Sequence, residues 1–241
     1  FSVGNYHQFI STFQDDFNPS ILDNWIAADT SVSPGKSMQV VLGYEEYIKN
    51  IYKIQIEGYY KDLKNLLTYE EKRSTTDAQV SDESLANIVT PADGYAYGFE
   101  LFGQKMSGKL SGWVAYTYSV SRKIMNSIYS DGEQEYYTNW DRTHAFSVLG
   151  NYQFNKKWET NWRFAFQSGQ AYTPIMGYYV QKFPESPEEL FRTIPGTRNS
   201  GRYEPYSRLD IGAVYHAKIG KTNVDFFFQI INTLNRSNTF R

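Results

Sequence analysis

The chain contains no cysteine. Without thiols there is no disulfide framework and no thiolate metal site. The absence is compatible with an oxidising periplasm or cell surface, but does not select a compartment. Long apolar runs are also missing. No stretch approaches the ~20 consecutive apolar residues a spanning helix needs, which excludes a helical membrane protein. An excess of charge of one sign is missing as well. Lys plus Arg number 24 and Asp plus Glu 26, for a formal net charge of -2. A nucleic-acid partner would call for a basic patch, so none is expected. Histidine is scarce: His7, His144 and His216, no two spaced as a zinc pair on one element. No nucleophile–base signature and no phosphate-cradling glycine loop occurs. The expectation is therefore no catalysis, no catalytic residue, no metal and no cofactor. Asp15, Asp16, Asn18, Asp23 and Asn24 lack the ordered spacing of a calcium loop and read as turn residues.

What the chain does have is aromatic residues: 21 Tyr, 16 Phe and 5 Trp among 241 residues. Their placement is clearest between Trp158 and Phe166. Trp158, Thr160, Trp162, Phe164 and Phe166 fall on one parity; Glu159, Asn161, Arg163 and Ala165 fall on the other. Side chains alternate between the faces of a strand, so one face is aromatic and the other polar. The same alternation recurs in Ser37–Glu45, Ile51–Lys61, Tyr95–Gln104, Leu110–Ser121, Phe146–Phe154, Tyr206–Ala217 and Thr222–Asn232, with a weaker strand at Ser2–Phe9.

Short turns are expected at Lys49-Asn50, Ser107-Gly108, Asn155-Lys156-Lys157 and Gly220-Lys221. Long polar connections separate the other strands: 12–34, 65–94, 123–141 and 168–205. Inside the last, Ser186-Pro187-Glu188-Glu189 reads as a helix start. Long and short connections thus alternate, the rhythm of an up-and-down barrel in an outer membrane. The expected fold is all-β: roughly nine strands of a larger antiparallel transmembrane β-barrel. A chain that opens without Met inside a strand-like segment reads as a piece of a longer protein.

On that reading Tyr44, Tyr52, Tyr60, Tyr97, Tyr118, Tyr152 and Trp158 form an interfacial girdle, or else reflect ordinary β-propensity. The polar parity, Lys53, Glu57, Glu100, Glu159, Arg163, Arg208, Asp210 and Asp225, lines a lumen, or else is the solvated face of a sheet. Aromatics in the connections, Tyr129, Tyr136, Tyr137, Trp140, Tyr172, Tyr178 and Tyr179, are ligand-binding candidates at the mouth, or else pack the loops together.

Five local patterns carry a resemblance. They are Gly94-Tyr95-Ala96-Tyr97-Gly98-Phe99-Glu100-Leu101 with Gly112-Trp113-Val114-Ala115-Tyr116-Thr117-Tyr118-Ser119; Trp140-Asp141-Arg142-Thr143-His144-Ala145-Phe146; Gly169-Gln170-Ala171-Tyr172-Thr173-Pro174; Arg202-Tyr203-Glu204-Pro205-Tyr206-Ser207-Arg208-Leu209-Asp210-Ile211; and Gln229-Ile230-Ile231-Asn232-Thr233-Leu234-Asn235-Arg236-Ser237-Asn238. In this order they resemble the C-terminal barrel of TonB-dependent outer-membrane receptors, particularly the Bacteroidetes type, over essentially all of residues 1–241. The resemblance implies a barrel of about twenty-two strands. It also implies an N-terminal plug and a TonB complex as partners, contact with outer-membrane lipid, and import of a small solute such as an iron chelate (siderophore uptake), cobalamin or an oligosaccharide. A plug, a TonB-contacting box and a final strand ending in an aromatic residue are not in this sequence. A passive porin-like channel and a glycan-binding surface β protein are the alternatives.

Overall fold

The computed structural model describes residues 1–13, 24–30, 32–69, 89–126, 132–182 and 189–238. Among these, every regular element is a strand. The first eight are β1 (Ser2–Gln8), β2 (Ile10–Phe13), β3 (Asn24–Ala27), β4 (Gly35–Ile48), β5 (Tyr52–Tyr69), β6 (Val89–Lys105), β7 (Leu110–Asn126) and β8 (Glu133–Tyr137). The rest are β9 (His144–Gln153), β10 (Trp158–Gln167), β11 (Ala171–Tyr172), β12 (Ile175–Lys182), β13 (Glu189–Pro195), β14 (Gly201–Arg202), β15 (Tyr206–Ile219) and β16 (Thr222–Ile230).

The nine alternating segments form one antiparallel meander in the order β1-β4-β5-β6-β7-β9-β10-β15-β16. β8 folds back on the far end of β7. Local chemistry explains the short connections. Lys49 and Asn50 both take left-handed φ, 53° and 52°, as the two central residues of a type I′ turn must. The Asn155 side-chain oxygen accepts from the amides of Lys157 and Trp158 at 2.8 and 3.0 Å, an Asx turn feeding β10. The long connections hold paired segments of their own: β2–β3, β11–β14 and β12–β13.

Two expectations about these connections change or fall away. Glu189, expected in a helix start, opens the strand β13; Ser186, Pro187 and Glu188 lie outside the described residues. Asp15, Asp16, Asn18 and Asp23 lie outside them too.

The larger correction concerns closure. Among the described residues β1 pairs only with β4 and β16 only with β15, so the sheet is open, with two edges, and is not a closed barrel. A barrel has no edge, because its first and last strands pair. The alternation of long and short connections reports that successive strands are neighbours. It holds equally for a meander that never closes. No helix among the described residues is long and apolar enough to cross a membrane.

Register across the meander is continuous, so the two parities become two faces. Trp162 sits level with Gly150 of β9 and Ile211 of β15, and Trp158 with Tyr215, which in turn faces Phe226. Leu42, Tyr44, Ile56, Tyr60, Phe99, Leu101 and Phe228 share this face, all solvent-exposed. Such an exposed apolar expanse is the informative feature of the fold, since single exposed apolar residues are ordinary. The buried interior is small and gathers at the β7–β8 end, where Ala92, Met125 and Tyr136 pack with Leu66. The largest fully buried side chains, Asn199, Thr68, Thr138 and Asp141, are all polar.

Candidate functional site

The polar parity supplies a charged face. Lys53 pairs with Glu45 at 2.8 Å. Glu57 and Glu100 stand directly opposite each other on β5 and β6. Arg208 forks onto Asp210 through two bonds of 2.8 Å, and the Asn232 amide donates to the same carboxylate at 2.9 Å. The Arg208 bonds hold the Asp210 carboxyl below its ordinary range; the Asn232 amide adds to this and burial opposes it. Arg163 lies level with Asp210. His216 hydrogen-bonds Asp225 through Nδ1 at 2.8 Å and faces Glu159 across 3.8 Å. The Asp225 bond, with the charge of both carboxylates, raises the His216 pKa. The eight expected polar residues therefore do share a face. In an open sheet that face borders no lumen.

The aromatics of the connections separate into three groups. Tyr129 lies outside the described residues. Tyr136, Tyr137 and Tyr172 are taken up by packing. The Tyr136 hydroxyl meets Thr68 at 2.8 Å and accepts from Arg198 at 3.2 Å. Tyr137 lies against two guanidinium groups, Arg122 at 3.5 Å and Arg202 at 4.3 Å from the ring centroid. Tyr172 stacks on Tyr203 at 4.3 Å. Asn199, at a left-handed φ of 50°, ties these pieces together by donating to the Tyr137 carbonyl at 2.7 Å. Trp140, Tyr178 and Tyr179 remain exposed, with the Lys123 ammonium 5.2 Å from the Trp140 ring.

A feature the sequence did not signal lies on the apolar face. Lys105, Gly112, Gly150 and Trp162 stand in one cross-strand row on β6, β7, β9 and β10. The Trp162 indole lies over Gly150: a Cβ there would fall 2.2 Å from two ring carbons. Gly112 has φ 147°, and a Cβ on it would fall 2.2 Å from the Leu149 carbonyl oxygen. Two side chains are thus absent from the middle of the row. A groove of about 400 Å³ results, walled by Tyr52, Ile54, Leu110, Val114, Val148 and Trp162. Glycine alone carries no periodicity, so only the register reveals that these positions coincide. Among the described residues no group of three or more His, Asp or Glu is placed to hold a metal ion.

No family model, no curated protein and no solved structure matches the chain. The resemblance to TonB-dependent receptors therefore gains no support, and the open sheet removes the barrel on which it depended. The expectations that followed from it are corrected together. They are solute import with siderophore uptake, the porin-like channel, the plug and TonB complex, the contact with outer-membrane lipid, and the place in the outer membrane. Each required a closed transmembrane wall, and the strands form an open sheet instead.

Proposed function

We propose that this chain is a non-catalytic binding protein that takes a small apolar molecule in the groove on the apolar face of its sheet. The observation that carries the reading is the row Gly112–Gly150–Trp162, which opens a recess about 400 Å³ in size. Small-molecule sites are typically concave, mostly apolar and roughly 300–1,000 Å³. Removing apolar ligand surface from water drives such binding without any covalent step. The test is titration of the full chain with an anilinonaphthalene sulfonate dye. Saturable binding of one dye per chain, weakened in Gly103→Leu, supports the reading. A Cβ at Gly103 meets only Val114, at an ordinary 3.5 Å, so this substitution fills the groove without straining the strand. Adsorption that never saturates and ignores Gly103→Leu rejects it.

A second reading concerns the loop end. The exposure of Trp140, with the Lys123 ammonium beside its ring, suits stacking on a flat-ringed polar ligand. Loss of binding to such a ligand in Trp140→Ala, without loss of stability, is its test.

A further inference from the structure

The groove is not apolar from end to end. Its row begins at Lys105 and finishes at Trp162, three strand spacings away, or about 14 Å. Lys105 is half-buried, and its ammonium donates to the Leu110 carbonyl at 2.8 Å. That bond holds the amine at the rim of the recess, beside the wall residue Leu110. An ammonium has three donors, so two remain for an incoming acceptor. A lysine stem can lie along apolar surface while its charged head stays at the water boundary. The site therefore couples an apolar trough to a positive charge fixed at one end.

We infer that the ligand of this groove is a long-chain aliphatic carboxylate, its chain lying over Gly112 toward the Trp162 indole that covers Gly150, and its head group paired with Lys105. The inference rests on the groove being a binding site, and adds the ligand's class and direction. A flat aromatic or a neutral hydrocarbon would fill the trough but leave the ammonium unused. A charge-assisted bond to carboxylate is roughly twice as strong as a neutral one, so the head group sets the preference. Trp162 closes the far end by lying flat on Gly150, and Val114 and Val148 bound one long side with Leu110 on the other.

The test compares dodecanoate with dodecanol, each below its aggregation threshold, in displacing a fluorescent polyene fatty acid from the full chain at neutral pH. The expected result is one dodecanoate per chain, binding about tenfold more tightly than dodecanol. Lys105→Gln removes that preference, and Gly103→Leu weakens both. Should Gly103→Leu not fold, Val114→Phe narrows the same trough from its wall. Equal binding of the two ligands, both lost when the trough is filled, overturns the carboxylate and leaves the groove standing. Binding that ignores the filled trough, or that takes many chains per protein, overturns both.

Discussion

Arg202 donates to the Asp141 carboxylate at 2.5 Å, and the Asp141 side chain is entirely buried. The same carboxylate accepts from the Ser121 amide at 2.8 Å, while Arg202 also donates to the carbonyls of Asp141 and Gly169. This one pair joins β7, the turn after β8 and the β11–β14 ribbon. Removing one partner of a buried pair leaves the other uncompensated, at about 3–5 kcal/mol. Arg202 is 31% exposed, and water relieves part of that cost. Arg202→Met is therefore expected to lower stability by about 3 kcal/mol, at the low end of that range. Denaturant unfolding measures it, and a loss below measurement would remove the pair from the framework.

The Trp162–Gly150 contact makes a second prediction. Gly150→Ala places a methyl group into the indole and is expected to cost about 1–3 kcal/mol as overpacking. In a Trp162→Leu background the clash is relieved, so the cost of Gly150→Ala shrinks. A double-mutant cycle by thermal unfolding reads the coupling directly. Additive effects would mean that the indole does not lie over Gly150.

His216 makes the β15–β16 pairing sensitive to pH. Asp225 and Glu159 face it from β16 and β10, and they raise its folded-state pKa. The contribution is fully present below the unfolded pKa, about 6.5, and is lost as pH rises through the higher folded value. Amide exchange at β16 is therefore expected to quicken as pH climbs through that window, after correction for intrinsic exchange. His216→Gln flattens the dependence. A wild-type profile as flat as the variant's would contradict it.

Asp210 behaves oppositely. Its folded pKa is lowered first by the Arg208 bonds and then by the Asn232 amide, while burial opposes the shift. Its contribution is present above the unfolded value, about 3.9, and is lost as pH falls through the folded one. Arg208→Met is expected to move the acid-unfolding midpoint upward. An unmoved midpoint would mean that the fork does not stabilise the fold.

Tyr95 donates to Glu135 at 2.6 Å, and this bond pushes its hydroxyl up to about 12. Ultraviolet titration of the wild type against Tyr95→Phe should show the missing tyrosine ionising late. Glu135→Gln should bring it back toward the ordinary value near 10.

The sequence contained much of the sheet and little of the site. Alternation marked the strand from Trp158 onward and its two faces, because the side-chain period of a strand is local. The Lys49-Asn50 and Asn155–Lys157 turns were legible for the same reason: each is settled within a few residues. The aromatics of the connections were legible as aromatics but not as partners. Tyr137 has the residue type of a stacking platform, and only the folded chain brings Arg122 and Arg202 onto its ring. The groove was not legible at all. Gly112, Gly150 and Trp162 are distant in sequence and meet through register alone.

The sequence by itself therefore determined an all-β chain, its strand order as a meander, and the sorting of Trp162 from Arg163 onto opposite faces. The tertiary structure decided whether the meander closes, and here β1 and β16 remain separate edges. The physical reason is one of range. Pleat and turn chemistry act over neighbouring residues and are written in local order. Closure depends on whether the two ends of the sheet meet, which local alternation does not encode.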